Sequence, residues 1–264
     1  MKPFDQQRFE SIVAGRHLSL GRSSLVYPDA TSTNDIALRL AQEGAPHGLV
    51  VVADYQTQGR GRRGRAWLSP HPGENLLFSV LLRLENSNDT PSNITLAMGL
   101  ALRDAVQPLL EDDVRIKWAN DILVDAKKLA GILVESQLAA DNVASFVVGI
   151  GLNVHMREPP ECIRSVATSL TLLSAAHLDR ELLLADLMHS IDERAQIWQS
   201  HGFAPMASEL CKCDALLGRR ISVEGIQGRA MGVDETGALL LQSATDAVPR
   251  RIVSGTVELL DAVP

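Results

Sequence analysis

The chain has 264 residues, 45% of them hydrophobic and 22% charged, with a formal net charge of −7. That suits one large domain, or a main domain with a small one, and supplies ample material for a core. The acidic balance argues against general nucleic-acid affinity, no apolar stretch approaches membrane-spanning length, and the polar start MKPFDQQRFE lacks a signal-peptide core, so a cytoplasmic protein is expected.

Residues 1–25 read as a short polar lead, helical around Gln6–Ala14 and too brief for a helix-turn-helix domain. Leu25–Tyr27 reads as a first strand. Ser32, Thr33, Asn34 and Asp35 then precede Ile36, Ala37, Leu40 and Ala41 at helical spacing, with Ser32-x-x-Asp35 as a capping arrangement. The same hydroxyls, amide and free N–H groups could equally hold a polar ligand at that helix N-terminus. Gly44 and Pro46 stop the helix.

Two strongly apolar strand candidates follow, Leu49–Asp54 and Asn75–Leu82, and between them runs Gly59-Arg60-Gly61-Arg62-Arg63-Gly64-Arg65. Arginine forks bind phosphate and carboxylate oxygens bidentately and keep their charge, while glycine lets backbone approach those oxygens. Gly59, Gly61 and Gly64 spell a dinucleotide-binding pattern, but that pattern needs a helix directly behind it. The next residues, AWLSPHPG, cannot form one, and no Gly-x-x-x-x-Gly-Lys-[Ser/Thr] occurs anywhere. An anion-binding loop that closes over its ligand remains.

Pro91 opens a helix to about Val106. Val114, Ile116 and Trp118 alternate with Arg115 and Lys117 as a half-buried strand, turned by Ala119-Asn120-Asp121. Ile122–Val124 and Leu129–Glu135 are strands joined by a turn over Asp125–Lys128. Phe146–Val154 is another strand, whose glycines leave room for a ligand or a neighbouring backbone. Leu182–Trp198 is an amphipathic helix behind a loop holding Thr168, Ser169 and Leu170. Composition shifts near residue 210 towards short strands and glycine turns, among them Asp234–Gly237, which suggests a small barrel. Cys162, Cys211 and Cys213 are odd in number and fit reduced thiols, and no second close Cys or His pair makes Cys211-x-Cys213 a metal site.

Five ordered segments, Ser32-Thr33-Asn34, Gln56 with GRGRRGR and Trp67, Lys117-Trp118-Ala119-Asn120-Asp121, KLAGILVE (128–135) and GIGLNV (149–154), resemble those of biotin protein ligases over essentially the whole chain. The resemblance implies an α+β fold: a mixed sheet flanked by helices, related to class II aminoacyl-tRNA synthetases, over residues 1–210, then an SH3-like barrel over 211–264. It implies adenylation of biotin with MgATP, then transfer to one lysine of a biotin carboxyl carrier domain. It implies the monofunctional type, without the N-terminal DNA-binding domain or sequence-specific DNA binding, and leaves a homodimer open.

By the same resemblance Ser32, Thr33, Asn34 and Gln56 hold the biotin ureido head. Arg60, Gly61 and Arg62 belong to the loop over biotin and the adenylate, and Lys128 lies near the biotin carboxylate and phosphate. Arg60, Arg62 and Lys128 are the expected catalytic groups. Trp67, Asn120, Asp121 and Asn153 fall near the nucleotide, with Asp121 the candidate Mg²⁺ ligand. Read from the residues alone, Lys128 could instead be a solvated turn lysine, Trp67 a sheet aromatic, and Asn120, Asp121 and Asn153 turn-formers. One departure is Ala119, where the family usually has proline, which removes turn preorganisation of about 1 kcal/mol or less. A lipoate or octanoyl ligase is the nearest alternative, without its expected Arg/Gly/His-rich signature. A nucleic-acid-binding regulator has only the arginine run in its favour.

Overall fold

The computed structural model describes residues 1–85, 91–138, 143–175 and 177–261. Up to the main sheet's last strand the order is α1 Gln6–Gly15, β1 Ser24–Ala30, α2 Thr33–Gln42, β2 Val50–Gln56, β3 Asn75–Glu85, α3 Pro91–Val106, β4 Arg115–Lys117, β5 Asp121–Val124, β6 Lys127–Leu138 and β7 Val143–Asn153. Then come α4 Leu170–Leu173, α5 Arg180–His201, α6 Ala204–Cys213, β8 Arg220–Val223, β9 Ile226–Val233, β10 Leu239–Gln242, β11 Arg250–Ile252 and β12 Val257–Leu259. No described helix is long and apolar enough to cross a membrane.

The first seven strands form one mixed sheet in the order β1-β2-β3-β7-β6-β5-β4. Only β1 and β2 run parallel, as expected where a helix, α2, makes the crossover between them. Strand side chains alternate between faces, and both faces of this sheet are covered. Val50, Val52, Phe78 and Val80 enter the main core with Leu96 and Leu100 of α3 and Leu184 of α5. Val51, Leu81 and Val147 point the other way, against Ala37 and Ala41 of α2. Each fully buried leucine or phenylalanine contributes about 1.5–3 kcal/mol, so the α3–α5 side dominates stability. Trp198 of α5 closes that core edge-on to Phe146, with ring centroids 5.6 Å apart, and its indole N–H donates to Asn93 Oδ1 at 2.7 Å.

Sequence pattern and structure part at several places. The polar lead is anchored: Phe4, Phe9, Val13 and Leu20 are buried, and the Phe4 N–H donates to Asp54, whose carboxylate also holds the buried Arg180 guanidinium at 2.7 Å. Ser32 makes no side-chain capping bond at the α2 N-terminus, and Asp35 turns to Arg60 instead. The β5–β6 turn is only Asp125-Ala126, both with positive φ, so Lys128 is a strand residue and not a turn residue. Helix α6, absent from the sequence reading, is nucleated by Pro205 in its first turn.

The C-terminal strands form a second, five-stranded antiparallel sheet in the order β11-β10-β9-β8-β12. Its apolar face joins the main core through Ile221, Val223, Leu239 and Leu241. The Trp118 indole N–H donates to the Gly237 carbonyl at 3.0 Å, and the Ala215 N–H to the Ile116 carbonyl at 2.9 Å. The C-terminal sheet is therefore seated beside β4 and its following turn. All three cysteines are free: Cys162 and Cys211 are exposed, while burial pushes the Cys213 thiol up to about 11. Among the described residues no cluster of three or more His, Cys, Asp or Glu side chains could hold a metal.

Candidate active site

A cleft runs along one face of β6 and β7, and three glycines make its floor. Gly131 pairs with Gly151, and Gly149 follows two residues earlier on the same face of β7. A Cβ at Gly149 would overlap the Asn34 carboxamide, and one at Gly151 or Gly131 would overlap the Trp67 indole. The glycines of GIGLNV thus make room for side chains of the cleft itself.

Over Gly149 lies a buried, neutral polar end. Ser32, Thr33 and Asn34 are 2–3% exposed because α2 begins directly against the sheet. Gln56 Oε1 accepts from the Thr33 N–H at 2.8 Å and from its hydroxyl at 3.2 Å. The Ser79 hydroxyl lies 2.8 Å from Thr33 Oγ1 and 2.6 Å from Asn34 Oδ1, while Asn34 Nδ2 donates to Glu135 at 2.8 Å. These groups are fixed before any ligand arrives. That is what a site for a neutral head with donors and acceptors requires.

Over Gly131 and Gly151 lies a cationic end. Lys128 Nζ stands 5.3 Å from the Trp67 ring centroid and 2.7 Å from Asp121 Oδ1. Lys117 also lines the cleft, and burial, followed by the Lys128 and Arg65 charges, holds its ammonium below the ordinary lysine range. Asn120 is tied into β6 by its Nδ2, which donates to the Ile132 carbonyl at 3.0 Å. The Trp118–Ala119 peptide that leads into this turn is cis. The Trp67 Nε1–H is buried with no hydrogen-bond partner among the described residues, a donor left open to a ligand acceptor.

The arginine loop closes the cleft from above. Its stem is a narrow hairpin, with the Trp67 N–H donating to the Gly59 carbonyl at 2.8 Å and the Gly61 N–H to the Arg65 carbonyl at 2.7 Å. A Cβ at Gly59 would stand 2.8 Å from the Trp67 carbonyl oxygen, so that stem demands glycine. Arg60 binds Asp35 at 2.5 Å and Glu135 at 2.9 Å. Arg62 donates to Asn120 Oδ1 at 3.3 Å, and burial, then the neighbouring Arg63 charge, holds its pKa below the usual arginine value. Arg63 pairs with Glu224 of the β8–β9 turn. The loop and Trp67 together narrow the cleft beneath them.

The structure brings Ser32, Thr33, Asn34 and Gln56 into this cleft, and with them Arg60, Gly61 and Arg62. Trp67, Asn120, Asp121 and Lys128 line it as well. Asn153 is not brought there: it is buried, its Nδ2 donating to the Thr168 carbonyl at 2.9 Å, which fastens β7 to the loop before α4. Sequence reasoning does not pick out Ser79, Glu135 or Asp35 as working residues. Ser79 carries a signal, since a lone hydroxyl in an apolar strand needs a partner once buried. Lys117 stands in a recognised motif without a role.

Comparison with known proteins bears on this cleft and on the C-terminal sheet. Residues 26–153 match the model of the Biotin/lipoate A/B protein ligase family, and residues 216–260 match that of the Biotin protein ligase C terminal domain. The chain is 34% identical over 255 residues to the bifunctional ligase/repressor BirA of Bacillus spizizenii, covering 94% of this chain and 75% of that protein. It is 31% identical over 252 residues to the biotin–[acetyl-CoA-carboxylase] ligase of Mycobacterium tuberculosis, covering 90% of each. The solved biotin protein ligase from Aquifex aeolicus, in complex with biotin and ATP, superposes with a TM-score of 0.78 at 30% identity, over 91% of this chain and 99% of that one.

Proposed function

The chain belongs to the biotin protein ligase family, and from that premise we propose that it activates biotin with MgATP and passes the biotinyl group to a lysine of a biotin carboxyl carrier domain. In the first step a biotin carboxylate oxygen attacks the α-phosphorus of ATP. The bond to the bridging oxygen of the β-phosphate breaks, and pyrophosphate leaves. In the second step a carrier lysine amine attacks the acyl carbon of the mixed anhydride, AMP leaves, and the nitrogen gives up a proton. We assign catalysis and substrate binding to residues 1–210, with 211–264 as a C-terminal module whose residues 255–257 complete the cleft wall.

The observation that carries this reading is the two-ended cleft. The neutral cluster Ser32, Thr33, Asn34 and Gln56 suits the ureido head, which offers two N–H donors and a carbonyl acceptor. The cations Arg62, Lys117 and Lys128 line the other end, where a carboxylate must approach a phosphate, while Arg60 reaches over from the loop to Asp35 and Glu135. Two like-charged groups meet there, and fixed positive charge offsets their repulsion and stabilises the in-line transition state. Lys128 is poised for this: it holds Asp121 now and can exchange that carboxylate for the substrate's.

Asp121 and Asn120 offer one carboxylate and one amide beside the cleft, a donor set that fits an ion carried in by nucleotide phosphates better than a resident metal. Asp121 would hold Mg²⁺, which supplies charge neutralisation on the phosphates. The test measures pyrophosphate release with ATP and either biotin or lipoate, then transfer of label to a biotin carboxyl carrier domain. Release with biotin is expected. Release that depends on lipoate and not on biotin would overturn the assignment.

A further inference from the structure

Among the loop arginines, Arg63 makes the tie to the C-terminal module. Its guanidinium pairs with Glu224 and lies 3.4 Å from Thr256 Oγ1. Both partners of that ion pair sit in the left-handed backbone region: Arg63 at φ 57° and Glu224 at φ 49°. Glu224 and Gly225 are the two central residues of the β8–β9 hairpin, closed by Val223 opposite Ile226. Such a turn favours Asn, Asp or Gly at its first central position, and a longer side chain there has to be held by something else. What holds Glu224 is its carboxylate. One oxygen, Oε1, accepts the Thr256 N–H at 2.9 Å and also takes Arg63. These two interactions, the Thr256 amide first, keep the Glu224 carboxyl below the usual carboxylate range.

The consequence is geometric. Gly255, Thr256 and Val257 are cleft-lining residues, and Arg63 is part of the loop that closes the same cleft. Gly255 is packed so closely on Val223 that a Cβ there would overlap its methyl group, so this wall segment moves with the β8–β9 hairpin. A single carboxylate outside the cleft therefore fixes the lid on one side and the wall on the other.

We propose that Glu224 is a positioning residue of the ligation reaction, which acts through Arg63 and Thr256 to clamp the arginine loop against the C-terminal sheet and so governs how long the activated acyl intermediate is retained. The proposal rests on the ligase reading given above. An acyl-adenylate reacts with any neutral amine, so the time it spends under a closed lid decides which amine it meets. A clamp of one half-exposed ion pair is weak by design. It can hold the lid in the resting protein and still release it when a ligand needs entry.

The test uses the full-length protein and two single variants, Glu224→Gln and Arg63→Gln, with their double variant. Hydrogen exchange of the ligand-free protein comes first and needs no ligase chemistry. Exchange over residues 59–66 and 254–257 should quicken about two- to five-fold in each single variant, the range a half-exposed pair can control. Amides of α3 and α5 should be unchanged. With biotin, MgATP and albumin as a bystander, Glu224→Gln, which lies outside the cleft, should form adenylate at the wild-type rate yet label albumin two- to five-fold more, and Arg63→Gln should label albumin two- to five-fold more per adenylate formed. The double variant should label no more than the singles, because both remove the same clamp. Unchanged lid exchange, a uniform rise across the whole chain, or faster lid exchange without extra labelling would each overturn the proposal. Wild-type protein that makes no biotinyl-adenylate would instead sink the ligase reading, and the exchange data would still decide whether the clamp exists.

Discussion

The two walls of the cleft are held in place by different physics. The floor, β6 and β7 with the start of α2, is fixed by buried hydrogen bonds and by glycines that admit Asn34 and Trp67 with no space to spare. The lid is fixed by ion pairs whose side chains are about 40–50% exposed, Arg60 to Asp35 and Arg63 to Glu224. A buried hydrogen-bonded network is costly to disturb, because each orphaned group loses its solvation and gains nothing. A half-exposed ion pair costs little to break, because water and salt replace it. The division suits a reaction that must recognise a rigid bicyclic head yet cover and uncover a reactive anhydride. Changes to the floor should therefore show in stability and substrate affinity together, and changes to the lid in retention, exchange and salt-dependent substrate entry without loss of stability.

Lys128→Ala lies where floor meets lid and should have the largest effect. Only its side chain faces the cleft, while its backbone N–H and carbonyl hold Val166 and Thr168, bonds that alanine keeps. Adenylate formation should fall about 10²- to 10³-fold, the range for removing one group that stabilises developing charge. The melting temperature should hardly change. A folded variant with near-normal pyrophosphate release would take Lys128 out of the chemistry.

Gly149→Ala tests the floor itself. The added methyl meets the Asn34 carboxamide, which is bound to Glu135 and lies beside Ser79, so it cannot swing aside without leaving polar groups unpaired. Overpacking and broken hydrogen bonds together should cost about 3 kcal/mol of stability, and biotin affinity should fall with it. Denaturant unfolding and calorimetric titration measure the two. A variant of wild-type stability that binds biotin normally would show that the floor is soft, and the contrast between the walls would collapse.

The contrast also explains what can be read from the sequence. The strands are legible because alternation and apolar runs are local, and the loop because four arginines and three glycines in seven residues stand between two apolar strands, a setting that a solvated basic turn does not need. The long-range partnerships that hold floor and lid are not. Asn34 and Glu135 are 101 residues apart, and Arg63 and Glu224 are 161 apart, so nothing near either residue announces its partner. The sequence pattern puts Lys128 in a turn, whereas Asp125-Ala126 makes the tighter hairpin that positive φ at both positions allows. Asn153 falls near the nucleotide on its motif alone, whereas its burial and its bond to the Thr168 carbonyl depend on a loop that the motif does not reveal.

Arg62→Gly probes the lid. Arg62 is the loop arginine for which the described residues provide a hydrogen bond to Asn120 and no ion pair, so its charge is available to a phosphate. A charged hydrogen bond contributes roughly 1.5–3 kcal/mol, so adenylate retention should fall about 10- to 100-fold for each such bond that the variant cannot make. Adenylation itself should continue on Arg60, Lys117 and Lys128. Incubation with biotin, MgATP and albumin, followed by probing albumin for biotin, reads the leak. A variant that makes adenylate but labels albumin no more than wild type would separate Arg62 from retention.

Asp35→Asn should have the smallest effect, and it sharpens the contrast most directly. Asp35 is about half exposed at the start of α2, and its carboxylate holds Arg60 at 2.5 Å. Asparagine keeps the shape and removes the charge. Arg60 stays tethered by Glu135, so the loop keeps its hairpin stem and one of its anchors. The substrate anion then competes with one carboxylate instead of two, and meets one negative charge fewer on the way in. The apparent KM for biotin should fall by up to about five-fold, the limit for a surface pair, and the gain should shrink as salt rises towards 1 M. Melting temperature should stay within a degree or two of wild type, since no buried group loses its partner. Kinetics at several salt concentrations decide it. A KM that rises, or a five-fold change that salt leaves untouched, would mean that Asp35 belongs to the rigid floor and that the lid is not held by exchangeable charge.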